Sequence, residues 1–420
     1  MKLLGLGGIA TKLVPNHEDT TRHARALYPA QAQRAFPSTG IAIGRDAISG
    51  EVACFDPWQW YADGLLTSPA LFVMGEVGMG KSAFVKALIL RSCGMGGREV
   101  YLLDPKSEYA PVARALGLPS LRLEPGGPVR LNPLEPGPSD ATPEALARRR
   151  ASIASALASV GLERSLRPGE EAALFEAAFR LPPQAILPDL VDLLLSPTDD
   201  LAAAMVTSKA RLAGAIRDLA MALRNLVTGR LAGMLNAPST VSLDEHSPGL
   251  HLDLSPVYSD RAVLAPVMAA ATSWMTARLR ADGPPKHLIV DEAWQVVQDS
   301  PTLVTWLAAT VKLARSLGVS ATFVVHRISD LRSAGEDASV AAKRAQGLLE
   351  DTQMRVLFAQ PHGELAALAS ATGLSPEELE LLPTLPRGRC LVVLGDRRAL
   401  WDVVLTARER RITDTDAAMR

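Results

Sequence analysis

The amino-acid sequence predicts an α/β fold, a mostly parallel sheet with helices on both faces that is split by an all-helical insertion. Three observations predict it. A phosphate-binding pattern sits between an apolar run and a helical one, short apolar strands alternate with helical stretches on either side of it, and a long Ala- and Leu-rich helical region separates two such blocks.

The elements follow in order. Residues 1–64 begin polar and become turn-rich, with Gly40, Gly44 and Gly50 between short apolar pieces, and read as an arm leading into short strands. Residues 65–140 form the first part of the core, with strands expected over 71–74, 99–103 and 120–123, the second of them stopped by Asp104-Pro105. The Pro- and Gly-rich stretch LEPGGPVRLNPLEPGPSD closes this part. The all-α insertion spans 141–235 and opens on Thr142-Pro143-Glu144 as N-cap, first-turn proline and first-turn acid. The second part of the core, 236–420, returns strands at 249–254, 287–290, 321–325 and 355–358. Ser375-Pro376-Glu377-Glu378 carries a capping box with proline at the first helical position. The runs 390–394 and 400–405 flank the turn Gly395-Asp396-Arg397-Arg398 and read as a hairpin at the sheet edge.

Composition bounds the function. A chain of 420 residues, 48% hydrophobic, can bury a large core in two or three domains. Its net charge of -1 excludes capture of nucleic acid by a global basic field, so any DNA contact is local. Cys54, Cys93 and Cys390 stand far apart with no His at zinc spacing, which predicts a reduced, cytoplasmic setting. The apolar start is broken by Lys12 and makes a poor signal peptide, and no apolar run approaches the length of a membrane span. Any membrane association is expected to be peripheral.

The chemistry begins at GEVGMGKS. Gly75, Glu76, Val77, Gly78, Met79, Gly80, Lys81, Ser82 and Ala83 form the expected nucleotide-binding set. Glycines let backbone N–H groups approach an anionic triphosphate, and the helix N-terminus behind them adds its own unpaired donors. Lys81 is expected to reach the β- and γ-phosphates of ATP, and the Ser82 hydroxyl to ligate Mg²⁺. The second element is the apolar strand ending in Asp291-Glu292, expected beside the phosphate-loop strand. There Asp291 is assigned to the Mg²⁺ shell and Glu292 to the attacking water. The third is the strand ending at His326, placed to hydrogen-bond the γ-phosphate or water. Arg315, shortly before that strand, reads as an arginine finger for a neighbouring subunit or as a cation complementing a helix C-terminus.

Other residues read more plainly. Gly5-Leu6-Gly7-Gly8 lacks the preceding strand of a dinucleotide fingerprint. Arg148-Arg149-Arg150 reads as a solvated helix face, with DNA phosphates as the alternative. Asp104 and Glu108 are either acids near Mg²⁺ or parts of the turn that ends their strand. Arg355 is an alternative phosphate sensor. His251 and His287 read as core or edge residues, and Trp274, Trp294 and Trp306 as packing.

The segments GEVGMGKSAFVKALILR, YLLDPKSEYAPVARALG, RLNPLEP, GRLAGMLN, LHLDLSPVYSD, HLIVDEAWQVV and KLARSLGVSATFVVHRISDL together resemble the motor ATPases of type IV secretion and conjugation, the VirB/TraC branch of the FtsK/HerA group. The likeness runs from roughly 35 to 405 and is nearest a conjugation-like set of actinobacteria. It implies a RecA-like P-loop core with an all-helical insertion, assembled as a homohexameric ring that hydrolyses ATP with Mg²⁺ between subunits. Lys81, Ser82, Asp291 and Glu292 would lie on one side of that interface and Arg315 on the other. The implied partners are DNA as substrate and the membrane-channel proteins of a secretion apparatus, at the inner face of the cell membrane. A double-stranded DNA translocase, gripping its substrate through pore loops such as 327–344, and a slow assembly switch are the alternatives. Two departures from the pattern are visible. About 64 residues stand where this branch usually has a large N-terminal domain, so channel docking is expected either to be missing or to fall to a separate protein. His326 stands where the wider group usually has Gln, which predicts a more pH-sensitive hydrolysis.

Overall fold

Along residues 71–74, Leu71 and Val73 enter one apolar cluster while Phe72 and Met74 enter another. This is the two-residue period of a strand in a sheet covered on both faces. The structure, a computed structural model, describes residues 36–137, 140–240, 247–279, 283–292, 318–326 and 352–414. The chain runs through β1 (Ile41–Asp46), β2 (Val52–Phe55), α1 (Pro57–Ala62), β3 (Leu71–Met74), α2 (Lys81–Gly96), β4 (Glu99–Asp104), α3 (Ala110–Leu116) and β5 (Ser120–Arg122). Helices α4 (Pro143–Leu162), α5 (Pro168–Arg180), α6 (Leu187–Leu195), α7 (Asp199–Ala204), α8 (Lys209–Ala215) and α9 (Arg217–Asn225) follow. The chain then re-enters the sheet at β6 (Gly249–Asp253) and continues through α10 (Arg261–Arg278), β7 (Lys286–Val290), β8 (Val319–Val325) and β9 (Met354–Leu357). It finishes with α11 (Leu365–Thr372), α12 (Pro376–Leu381), β10 (Arg389–Leu394), β11 (Arg397–Val403) and α13 (Ala407–Thr413).

Among the described residues one sheet of 11 strands results, in the order β2, β1, β11, β10, β9, β3, β8, β7, β4, β6, β5. From β9 to β5 every pairing is parallel. From β9 outwards the other way, through β10, β11, β1 and β2, every pairing is antiparallel. The 390–405 hairpin is therefore internal, because β1 covers the outer side of β11. A strand from far upstream supplies that cover, which the hairpin's own sequence does not announce. A second expectation is also corrected: β8, and not β7, lies beside β3. The strand ending in the two acids is one place further along.

The helices from α4 to α9 pack on one face, where Ile153, Leu157, Leu174, Leu190 and Leu223 share a cluster with Phe72, Leu103 and Leu288. Thr142 caps α4, its hydroxyl accepting from Ala145 N at 3.2 Å, with Pro143 in the first turn as expected. The Arg148-Arg149-Arg150 run departs from a solvated face. Arg148 is exposed, but Arg150 is 1% exposed and donates to the carbonyls of Leu134, Leu181, Pro182 and Pro183. Arg149 pairs with Asp140 and donates to the carbonyls of Pro133 and Glu135. Proline-rich turns leave carbonyls without helical or strand partners, and a guanidinium with five donors satisfies several at once.

A clamp ties the phosphate-loop helix to the antiparallel flank. Arg91 of α2 bonds both carboxylate oxygens of Glu409 in α13, at 2.7 and 2.8 Å, and donates to the carbonyls of Ala42 and Val404. The Arg91 guanidinium holds the Glu409 carboxyl at about 2 against the opposing effect of burial. Because this folded value lies below the unfolded one of about 4.3, the pair's contribution is complete above the unfolded value. It is lost as the pH falls through about 2. Arg91→Met is expected to cost about 2 kcal/mol at pH 7. The loss should shrink in urea titrations at acid pH. An equal loss at both pH values would assign the effect to packing of the stem.

Candidate functional site

β3 ends at Met74, the loop 75–80 turns back, and α2 begins at Lys81, so the predicted strand, loop and helix are all present. Two glycines are required by geometry. Gly80 adopts φ 116°, and a Cβ on Gly75 would lie 2.6 Å from Phe358 Cβ. The loop is braced from outside. Glu76 N donates to Ala359 O at 2.8 Å, Phe358 N to Met74 O at 2.8 Å, and Gly388 N to Met79 O at 2.9 Å. Glu76, Val77 and Gly78 are exposed at its tip, while Met79, Gly80, Ser82 and Ala83 are half-buried.

Lys81 is 4% exposed, and its Nζ donates to the carbonyls of Gly75, at 2.5 Å, and Glu76, at 3.0 Å. Burial brings its ammonium down to about 8, opposed by the charges of Asp291, Glu292 and Glu108. The lysine and the two acids are thus brought to the same end of the sheet, although β8 separates their strands.

Asp291 and Glu292 follow directly on β7, and Asp291 N donates to Leu103 O at 3.2 Å. Asp291 is 5% exposed; burial raises its carboxyl to about 8, with the neighbouring charges of Glu292, Glu108 and Asp104 adding to the rise. A buried carboxyl hemmed in by acids suits a divalent cation, which would remove the cost of ionising it. Among the described residues no group of three or more His, Cys, Asp or Glu side chains could hold a metal unaided. Mg²⁺ keeps several waters and binds through one or two carboxylates and the phosphates of its substrate, a demand that a single buried carboxyl such as Asp291 can meet.

Glu292 is 2% exposed and adopts φ 51°. Its Oε1 accepts from Lys106 Nζ and from His326 Nε2, the latter at 3.1 Å. Burial pushes this carboxyl up, but the bonds from His326 and Lys106 outweigh it and hold it at about 2. His326, at the end of β8, therefore lies against the acid assigned to the water. Lys106 escaped the sequence analysis. Its signal is positional: β4 and β7 pair with Leu103 opposite Val290, so the residues after each strand face each other. Phe358, Ala359 and Gly388 were missed for the same reason.

The remaining candidates separate. Asp104 accepts the N–H groups of Lys106, Glu108 and Tyr109 and bonds His251 Nε2 at 3.0 Å, so it builds the turn after β4. Glu108 adds negative charge near Lys81 and Asp291. His287 is buried and bonds Ser92 at 2.9 Å. Arg355 donates to the carbonyl of Thr372 at the end of α11. Trp274 is 1% exposed, in the core. Arg315, Trp294, Trp306 and the segment 327–344 lie outside the described residues.

The fold is shared with solved structures. VirB4 of Thermoanaerobacter pseudethanolicus superposes with a TM-score of 0.72 at 23% identity, over 90% of this chain and 100% of that one. The plasmid coupling protein TrwB in complex with ADP and Mg²⁺ gives a TM-score of 0.57 at 14% identity, over 90% of this chain and 97% of that one. TrwB in complex with a non-hydrolysable ATP analogue gives 0.53 at 14% identity, over 89% and 96%. No protein-family model matches the chain, and no curated protein sequence does. At these identities the likeness establishes the fold, a RecA-like P-loop architecture.

Proposed function

We propose that the chain is an ATP-hydrolysing ring motor that powers transfer of DNA or protein in conjugation or type IV secretion. The observation that carries the reading is the meeting of Lys81, on the phosphate loop, with Asp291 and Glu292 at one end of the sheet, close enough for the charges of the two acids to oppose the effect of burial on the lysine. The fold shared with VirB4 and with TrwB bound to ADP and Mg²⁺ supports it.

In this reading the backbone of Gly75–Ala83 cradles the triphosphate and Lys81 turns from its two carbonyls to the β- and γ-phosphates. Ser82 and Asp291 would hold Mg²⁺, which would supply positive charge to the phosphate oxygens when bound. Glu292 orients the attacking water and receives its proton. The water oxygen bonds to the γ-phosphorus as the bond to the β-phosphate oxygen breaks, giving ADP and phosphate. His326 donates to the γ-phosphate or to the water. Residues 65–140 and 236–420 form the ATPase core, to whose sheet β1 and β2 are added, and 141–235 the helical insertion; of the arm and short strands expected over 1–64, residues 1–35 lie outside the described residues.

The ring, the homohexamer and the trans role of Arg315 belong to the same proposal, as does a position at the cytoplasmic face of a membrane beside channel proteins. No described helix is long and apolar enough to cross a membrane. An arginine finger contributes about 10³ to 10⁵ in rate where it acts. Mixing Arg315→Ala with Lys81→Ala subunits is therefore expected to restore phosphate release that neither shows alone, since mixed interfaces join an intact Lys81 to an intact Arg315. No recovery at any ratio would remove Arg315 from the site. In the same assay, strong stimulation by double-stranded DNA would favour direct DNA translocation, and a slow rate indifferent to DNA an assembly switch.

A further inference from the structure

A primary amide carries two donors on its nitrogen and two lone pairs on its oxygen, and burial without partners is costly for all of them. Gln360 is in that position. It is 2% exposed, and among the described residues neither its Nε2 nor its Oε1 has a hydrogen-bond partner. Native proteins leave few side chains in this state, and each calls for a reason. The place of Gln360 supplies one. It stands three residues beyond the end of β9, on the segment that braces the phosphate loop. Phe358 N donates to Met74 O and Glu76 N to Ala359 O, so loop and segment are tied together up to the residue before Gln360. Phe358 also closes on two of the loop's glycines: a Cβ on Gly75 would lie 2.6 Å from its Cβ, and one on Gly80 3.3 Å from its Cε1. A change in the loop is therefore transmitted to Gln360.

In the empty loop Lys81 Nζ donates to the carbonyls of Gly75 and Glu76. When Lys81 turns to the phosphates, as the proposed function requires, these two carbonyls lose their donor. The Gln360 nitrogen has two N–H donors without an acceptor. Glu76 is also the residue whose own N–H is already bonded to Ala359, the neighbour of Gln360 in the chain. Donors without acceptors and acceptors losing a donor thus belong to adjoining segments, and one exchange relieves both.

We propose that Gln360 is a positioning residue that favours the nucleotide-loaded loop: its amide is unsatisfied in the empty protein and donates to the carbonyls of Gly75 and Glu76 once Lys81 has left them. The proposal rests on the reading of residues 75–83 as a triphosphate site. The unpaired amide raises the free energy of the empty protein alone, so it adds to nucleotide affinity.

The test joins two readouts on the full chain, thermal melting without nucleotide and isothermal titration with a non-hydrolysable ATP analogue and Mg²⁺. Gln360→Leu removes the amide, and Gln360→Met does so with an unbranched side chain of the same length. At least one of them is expected to raise the melting midpoint of the empty protein by about 2 °C and to weaken binding of the analogue about fivefold to tenfold. The opposite signs are diagnostic, because an amide satisfied by an ordered water, or serving the fold alone, would lose stability and keep its affinity when replaced. In Lys81→Ala the two carbonyls are vacated without nucleotide, so the same Gln360 substitution should give no rise in the midpoint there. A lowered midpoint in both Gln360 variants would overturn the proposal, as would an equal rise in the Lys81→Ala background. If wild type does not bind the analogue, the triphosphate reading itself fails. Wild-type binding that Gln360→Leu and Gln360→Met leave unchanged fails the role of Gln360 alone.

Discussion

Glu292→Gln is expected to bind ATP as wild type does and to lose turnover by about 10² to 10⁴, the range a positioned general base contributes. The substitution is nearly isosteric, and the amide oxygen can still accept from Lys106 and His326, so the buried position stays satisfied. What disappears is the proton acceptor. Binding of a fluorescent ATP analogue and phosphate release, measured on one preparation, separate the two effects. Unchanged phosphate release would take the water-activating role away from Glu292. Weakened binding would mean that its charge holds the nucleotide or its metal.

Lys81→Ala is expected to remove hydrolysis more broadly, lowering kcat by about 10² to 10³ as a lost transition-state charge contact does. It should also weaken ATP binding. The variant loses a cation and leaves the Gly75 and Glu76 carbonyls without their ammonium donor, so the loop itself should loosen. Isothermal titration with a non-hydrolysable ATP analogue reads the binding part. Full activity in Lys81→Ala would place the nucleotide elsewhere and remove the proposed site.

The sequence disclosed those parts of the site whose signals are local. Glycines spaced around a tight loop, an apolar run before it and a helix after it all lie within a few residues, and Asp291-Glu292 declares itself by closing an apolar strand. The capping signals at Thr142 and Ser375 were legible for the same reason. Strand order was not legible, because β3 pairs with β8 and β9, strands that only the finished sheet brings to its sides. Hence the acids were set one strand too near. Lys106 passed unnoticed because its partner follows β7, and only the β4–β7 pairing makes them neighbours. Arg150 misled for a related reason: its partners are carbonyls, which carry no signature in the amino-acid alphabet.

The brace around the phosphate loop has a consequence for synthesis. Both strands that flank β3, and the Ala359 and Gly388 contacts that grip the loop, come from far downstream. As the chain leaves the ribosome, β3 and its glycines emerge early and wait without hydrogen-bonded neighbours until residues near 319, 354 and 388 have followed. In the proposed reading nucleotide affinity is therefore acquired late in translation, and a nascent chain stalled short of these segments carries the sequence of a phosphate loop without its shape.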